Sequence, residues 1–201
     1  MTSAFIALFY GGMLALGLLI GWWAALPWPW ALDAQTWSLP IQLLNGASIA
    51  AVTVILSRWA SARFEWASAL DEAMRKALGA RTLPQIVWMA LASGVGEEWL
   101  FRGALQPLIA RWLDSPVAGC LLVALLFGVM HIGQPLRVYW PWTVMACVMG
   151  VVLGGVTLVS GSFIAAVVAH MLINAVNLRA LTRAPAHRPP PADSEGSAPR
   201  S

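Results

Sequence analysis

From Val138 to Leu178 the chain runs without a single Asp, Glu, Lys or Arg. That is about twice the ~20 residues needed to cross a hydrocarbon core of about 30 Å, so the stretch holds two membrane spans. Ser160-Gly161-Ser162 is the natural break between them. Most of the 201-residue chain has the same character: 59% is hydrophobic and 10% charged, against about 25% charged in soluble domains. So few charges cannot cover a surface in water. The composition predicts an all-α, polytopic integral membrane protein. It excludes a disulfide scaffold, a zinc-ribbon module and a soluble Rossmann enzyme. Cys120 and Cys147 stand alone in apolar runs and read as buried small hydrophobes.

About six spans are expected. Ser3 to Leu26 forms the first; it lacks the basic flank of a signal peptide and ends at the interfacial cluster Trp22, Trp23, Pro27, Trp28, Pro29 and Trp30. The second runs from about Leu39 to Ser57. Residues 58–82 then read as a connector on the membrane face. Phe64, Ala67, Leu70, Met74 and Ala77 recur at helical spacing there, opposite the charges. Within it, Asp71 to Arg75 and Glu72 to Lys76 are favourable pairs, and Gly79 can end the helix. The third span, about Leu83 to Trp112, carries Glu97, Glu98 and Arg102 in its interior, and the fourth, about Pro116 to Gly133, carries His131. Spans five and six follow, with His170 in the last. From Ala184 the sequence is dominated by Pro, Ser, Gly and Ala and reads as a disordered tail.

Six spans place Arg58, Arg63, Arg75, Lys76, Arg81, Arg137, Arg179, Arg183, Arg188 and Arg200 on one side and only Arg111 on the other. The positive-inside rule then predicts that both termini are cytoplasmic. The formal net charge of +3 therefore reads as membrane orientation and not as nucleic-acid binding, for which no basic stripe with interleaved aromatics is present. Gly17-x-x-x-Gly21 and Gly150-x-x-x-Gly154 read as packing contacts between helices of one chain.

A charge at mid-bilayer costs about 2.5–3.5 kcal/mol even on the gentler scales, so the third span must turn its charges toward the bundle interior. Glu98 and Arg102 are four apart and share a helix face, where they can pair. Glu97 points about 100° away and has no cation at a favourable spacing, which favours a functional role. His131 and His170 lie on two other spans. Asn174 is one turn from His170, and Phe127 is one turn from His131 and can wall the site. A carboxylate, two imidazoles and an amide in a protein-lined pocket are the parts of a water-activating hydrolase.

Three signatures stand in order in the chain: Glu97-Glu98-Trp99-Leu100-Phe101-Arg102, Phe127-Gly128-Val129-Met130-His131 and His170-Met171-Leu172-Ile173-Asn174. They resemble the E-E-x-x-x-R, F-x-x-x-H and H-x-x-x-N motifs of the CPBP (CAAX protease and bacteriocin-processing) intramembrane proteases. The resemblance covers about residues 83–180 and implies a four-helix catalytic core. It implies that Glu97 is the general base that activates water, helped by His131. It further implies that His170 and Asn174 stabilise the oxyanion, and that Glu98 with Arg102 supports the motif helix. A membrane-associated protein or peptide is the implied substrate and the bilayer the implied environment, with no nucleic-acid partner.

The expected chemistry is glutamate-activated water without a required metal, because no tight H-E-x-x-H spacing is present. The alternative is a zinc site built from Glu97, His131 and His170. A non-proteolytic scaffold or bacteriocin-immunity-type protein is the competing function, and the intact polar set argues against it. One geometric demand follows. Glu97 lies about 20 Å along its span and His131 under 10 Å from the cytoplasmic end of its own. They can meet only if the third span tilts or extends into the cytoplasm.

Overall fold

A computed structural model describes residues 3–27 and 36–183. Among these residues the chain forms eight α-helices, one π-helical segment and no strand. The helices are α1 (Ser3–Trp23), α2 (Leu39–Arg63), α3 (Glu65–Leu78), α4 (Leu83–Glu98), α5 (Gln106–Trp112), α6 (Pro116–Val129), α7 (Leu136–Ser160) and α8 (Ile164–Thr182), with the π segment at Trp99–Leu105. The all-α membrane architecture expected from composition is what the chain adopts: α1, α2, α7 and α8 are long and apolar enough to cross a bilayer, and α6 is a shorter apolar helix. Large apolar side chains point outward along them, Leu8 at 79% and Ile55 at 65% exposure, a surface that lipid tolerates and water does not. Trp28, Pro29 and Trp30 of the interfacial cluster lie outside the described residues, as does the tail from Ala184 with Arg188 and Arg200.

Local sequence accounts for the ends that matter. Thr82 and Gln85 form a reciprocal capping box at the start of α4, with the Thr82 N–H donating to Gln85 Oε1 at 3.0 Å. Gly161, at φ 70°, closes α7 in the left-handed conformation that glycine adopts without strain. The Ser160-Gly161-Ser162 break therefore falls where expected.

One boundary, one ion pairing and the winding of one span differ from the sequence expectation. Arg58 to Arg63 continue α2 and do not begin the connector, which is α3 alone, after a bend at Phe64. On α3, Arg75 pairs with Glu72 and not with Asp71, and Glu72 also lies 3.6 Å from Lys76. The expected third span is one continuous helical run from Leu83 to Trp112, but its middle is π-wound. A π turn re-aims the side chains that follow it and recurs at functional sites; here it coincides with the charged motif.

Within a bilayer, lipid tails are as apolar as leucine, so close packing and polar contacts hold helices together more than hydrophobicity does. The packing places α8 between α2 and α4, α1 against α4 and the π segment, and α6 against α7. Glycines permit the approaches that matter for the site. A Cβ on Gly96 would stand 2.9 Å from the Tyr10 carbonyl oxygen, joining α4 to α1. One on Gly150 would stand 2.8 Å from Ala124 Cα, joining α7 to α6. Of the two small-residue pairs, Gly150 and Gly154 both face neighbours, Gly17 packs on Trp99, and Gly21 faces open space. Leu100, Phe101, Val123, Phe127 and Ala146 form one buried cluster beneath the motif.

Candidate active site

Glu97 is the penultimate residue of α4 and only 7% exposed. Its Oε2 lies 3.8 Å from His131 Nε2 and 3.9 Å from His170 Nε2. Three separate elements thus bring one carboxylate to two imidazoles. Glu97 Oε2 is buried and accepts no hydrogen bond among the described residues. Burying a carboxylate oxygen without a donor costs free energy that packing alone does not return. Such an orphan acceptor between two ring nitrogens marks a position built for something other than stability.

His131 stands just beyond the end of α6, where its backbone N–H donates to the Gly128 carbonyl at 2.9 Å. Its Nδ1 sits 2.7 Å from the Phe127 carbonyl oxygen. Only a protonated Nδ1 satisfies that contact, so the neutral ring presents Nε2 as an acceptor toward Glu97. Thr143 and Trp142, on α7, were not singled out from the sequence. The Thr143 hydroxyl donates to the His131 carbonyl at 3.1 Å, and the Trp142 ring stands perpendicular to the imidazole at 5.2 Å. Phe127 walls the other side, its ring 4.5 Å from the His131 ring and 6.0 Å from that of His170.

Glu98 and Arg102 pair as their spacing predicts, Arg102 Nη1 donating to Glu98 Oε1 at 3.1 Å with both side chains fully buried. The same oxygen takes His170 Nδ1 at 2.7 Å, a contact the sequence did not disclose. Glu98 therefore orients the α8 imidazole as well as the motif helix. Arg102 Nη2 reaches the Gly150 carbonyl at 3.1 Å, and its guanidinium lies 4.5 Å from the Phe127 ring centroid. One turn on, Gln106 Nε2 donates to the Gly154 carbonyl at 3.1 Å. The two donors meet two carbonyls one turn apart on α7, and at Gly154 the absence of a side chain leaves room for Gln106.

Asn174 joins the cluster through α4: its Nδ2 donates to Ser93 Oγ at 2.8 Å. Ser93 lies one turn before Glu97 and is buried. It was missed from the sequence, although its four-residue spacing from Glu97 puts the two on one face. Trp99 is buried core, edge-on to Phe163 at 5.7 Å.

Glu97, His131 and His170 are chemically a zinc-type donor set. As arranged, however, no group of three His, Cys, Asp or Glu side chains among the described residues converges closely enough to hold a metal ion. The 2.7 Å bond to Glu98 and the 2.7 Å contact with the Phe127 carbonyl orient the two rings whatever sits between them.

Residues 79–176 match the family described as Type II CAAX prenyl endopeptidase Rce1-like. A Bacillus subtilis (strain 168) protein described as uncharacterized protein YpbD is 29% identical over 133 residues. The alignment covers 65% of this chain and 64% of that protein, so the chain spans less than two thirds of its relative's length. No solved structure gives a significant match. The matched segment holds all three signatures and the buried cluster they form, and the match supports membership of the CPBP family of CAAX-protease-like membrane proteins.

Proposed function

We propose that the chain is an intramembrane endopeptidase that hydrolyses a peptide bond of a membrane-associated protein or peptide, in CAAX-type or in sorting- or leader-type processing. The observation that carries this reading is the Glu97 carboxylate oxygen, buried, unpaired and within 4 Å of two imidazole nitrogens from other helices. A water oxygen can hydrogen-bond to Glu97 Oε2 and His131 Nε2 at once across their 3.8 Å separation. Glu97 takes a proton from that water as the hydroxide attacks the scissile carbonyl. Negative charge develops on the carbonyl oxygen, where His170 Nε2–H and the second amide proton of Asn174 serve as donors. Glu98 holds Nδ1 of the same ring, so an imidazolium at His170 is matched by a carboxylate behind it. The protonated Glu97 then returns its proton to the leaving amine, which completes the hydrolysis. This scheme requires no metal.

The proposed topology has six spans and both termini in the cytoplasm, following the distribution of Lys and Arg. It accounts for the depth of the site. With 14 residues, α6 is about 21 Å long, well short of a hydrocarbon core of about 30 Å. A helix anchored at Pro116 in the outer interface therefore ends with His131 still inside the slab, level with Glu97. The shortness of α6 meets the geometric demand without a steep tilt of the third span.

The test compares the membrane proteomes of strains carrying the wild type and Glu97→Gln, then assays the accumulated substrate with purified protein. Glu97→Gln is expected to slow cleavage at least about 1,000-fold while the protein remains folded, and a chelator is expected to leave wild-type cleavage unchanged. Cleavage at the wild-type rate by Glu97→Gln removes the mechanism. Identical proteomes in the two strains favour the scaffold reading. Loss of activity on chelation, restored by zinc, replaces the metal-free scheme.

A further inference from the structure

Three contacts run α1 alongside the third span. Gly96 lies against Tyr10, Gly17 against Trp99, and Arg111 Nη1 donates to the Ala24 carbonyl at 2.9 Å. The two elements are therefore parallel, but they do not close on each other everywhere. Between the second half of α1 and the π segment lies an apolar groove of about 800 Å³, a volume within the range of small-molecule sites. Trp99 and Gly103 line one side, and Ala15, Leu18, Gly21 and Trp22 line the other. No charged residue lines it. Gly21 leaves the groove open, because a Cβ there meets nothing within 4 Å.

From Ala15 to the end of α1 at Trp23 the groove runs about 12 Å, most of the ~15 Å that one leaflet contributes to the hydrocarbon core. Trp22, Trp23 and Trp112, all exposed, mark the membrane interface at that end. A cation stands there too. Arg111 is anchored on Ala24, next to the groove residues Ala25 and Leu26. Its guanidinium gives one N–H to the carbonyl and forms no ion pair among the described residues, Asp114 included. The remaining donors suit the oxygens of a phosphate.

We infer that this groove binds one glycerophospholipid, an acyl chain lying between α1 and the π segment and the phosphate held by Arg111. The charge and the depth select the ligand together: an uncharged slot one leaflet deep takes a chain, and a guanidinium at its interfacial end takes an anionic headgroup. Trp99 directly follows Glu98 in the chain, so the lipid seats beside the charged motif. The inference stands whether or not the chain is a hydrolase.

The test uses full-length protein in maltoside micelles, which contain no phosphate, and phosphatidylglycerol with a diazirine in one acyl chain. Residues 99–104 are buried, so a label on residues 99–103 reports the groove and not bulk contact; Ile55, 65% exposed on α2, is the control for bulk contact. The wild type is expected to take label at residues 99–103. Unlabelled phosphatidylglycerol should displace it, while diacylglycerol with the same chains should need about tenfold more, as for loss of a charge-assisted bond. Gly21→Leu fills the groove without a clash and is expected to lose the label at residues 99–103 while keeping that at Ile55. Arg111→Gln should make the two competitors equal. If a segment of the chain or a second copy fills the groove, the wild type takes no label there and the inference is overturned. Labelling of Gly21→Leu at the wild-type level overturns it as well. Equal competition in the wild type shows that the phosphate is not read, and that too overturns it.

Discussion

Arg102→Met isolates the buried charge network. The wild-type guanidinium balances Glu98, donates to the Gly150 carbonyl at 3.1 Å and covers the Phe127 ring at 4.5 Å, all with no exposure to solvent. Methionine roughly fills the volume but supplies no charge and no donor. The dominant loss is the stranded Glu98 carboxylate, because removing one partner of a buried pair costs about 3–5 kcal/mol. The second variant, Glu98→Gln with Arg102→Met, removes both charges. What remains missing is the Gly150 bond, about 1 kcal/mol, and the ring contact, up to about 2 kcal/mol when desolvated. Those two losses are common to both variants and cancel. Relief of the stranded carboxylate is offset by the weakened charged bond from His170 to Glu98, about 1.5–3 kcal/mol. The double variant should therefore be more stable than Arg102→Met alone by about 1–2 kcal/mol. Reversible unfolding in mixed detergent micelles, followed by tryptophan fluorescence, measures both. Activity separates from stability in this pair. The double variant still lacks the Glu98 carboxylate that takes His170 Nδ1 at 2.7 Å, so cleavage should not recover with the fold. The reasoning fails if Arg102→Met costs less than about 1 kcal/mol, or if neutralising Glu98 brings no recovery.

Three further outcomes follow from contacts on other helices. Gly150→Ala places a methyl 2.8 Å from Ala124 Cα and must separate α6 from α7, a loss of about 1–3 kcal/mol in the same unfolding assay. Gly21→Ala, with nothing within 4 Å, should be neutral or stabilise by up to about 1 kcal/mol through helix propensity. Ser93→Ala takes away the hydroxyl that accepts from Asn174 at 2.8 Å and should lower kcat about tenfold with the fold intact. Unchanged kcat would show that Asn174 does not depend on Ser93 for its placement.

The parts of this molecule legible in its sequence are those for which lipid makes a residue expensive. Glu97, Glu98, Arg102, His131 and His170 stand out against an apolar background because each costs kilocalories there unless other elements answer it. That cost, together with their spacing, was enough to anticipate the Glu98–Arg102 pair and a shared location for Glu97 with the two imidazoles. Helix breaks were legible for a related reason. Gly79 and Gly161 occupy positive φ and end helices where the sequence placed the ends. The π turn had no such mark, since Trp99 to Leu105 contains nothing that an α-helix would reject apart from its single glycine. Arg102 within it and Gln106 just beyond it reach carbonyls on α7, each 48 residues away in the chain, and such distant contacts leave no mark in the local sequence.

The same argument explains why the neutral partners escaped notice. Ser93 and Thr143 can bury a hydroxyl in a helix at little cost, because a carbonyl or a neighbouring side chain satisfies it. Ser93 does so with the Ala90 carbonyl at 3.3 Å. A hydroxyl that costs little leaves no trace in hydropathy or charge spacing. Which helix each one addresses is decided by the packing: Ser93 meets Asn174 because α4 lies against α8, and Thr143 meets the His131 carbonyl because α7 lies against α6. The charged residues thus declare that a site exists, while the neutral donors that aim it become identifiable only once the helices are in contact. By this logic a substitution that separates α1 from α4, such as Gly96→Val, should abolish cleavage even though every signature residue is retained. If Gly96→Val were folded and as active as wild type, the first helix would have no part in the chemistry, and the signature segment would suffice by itself.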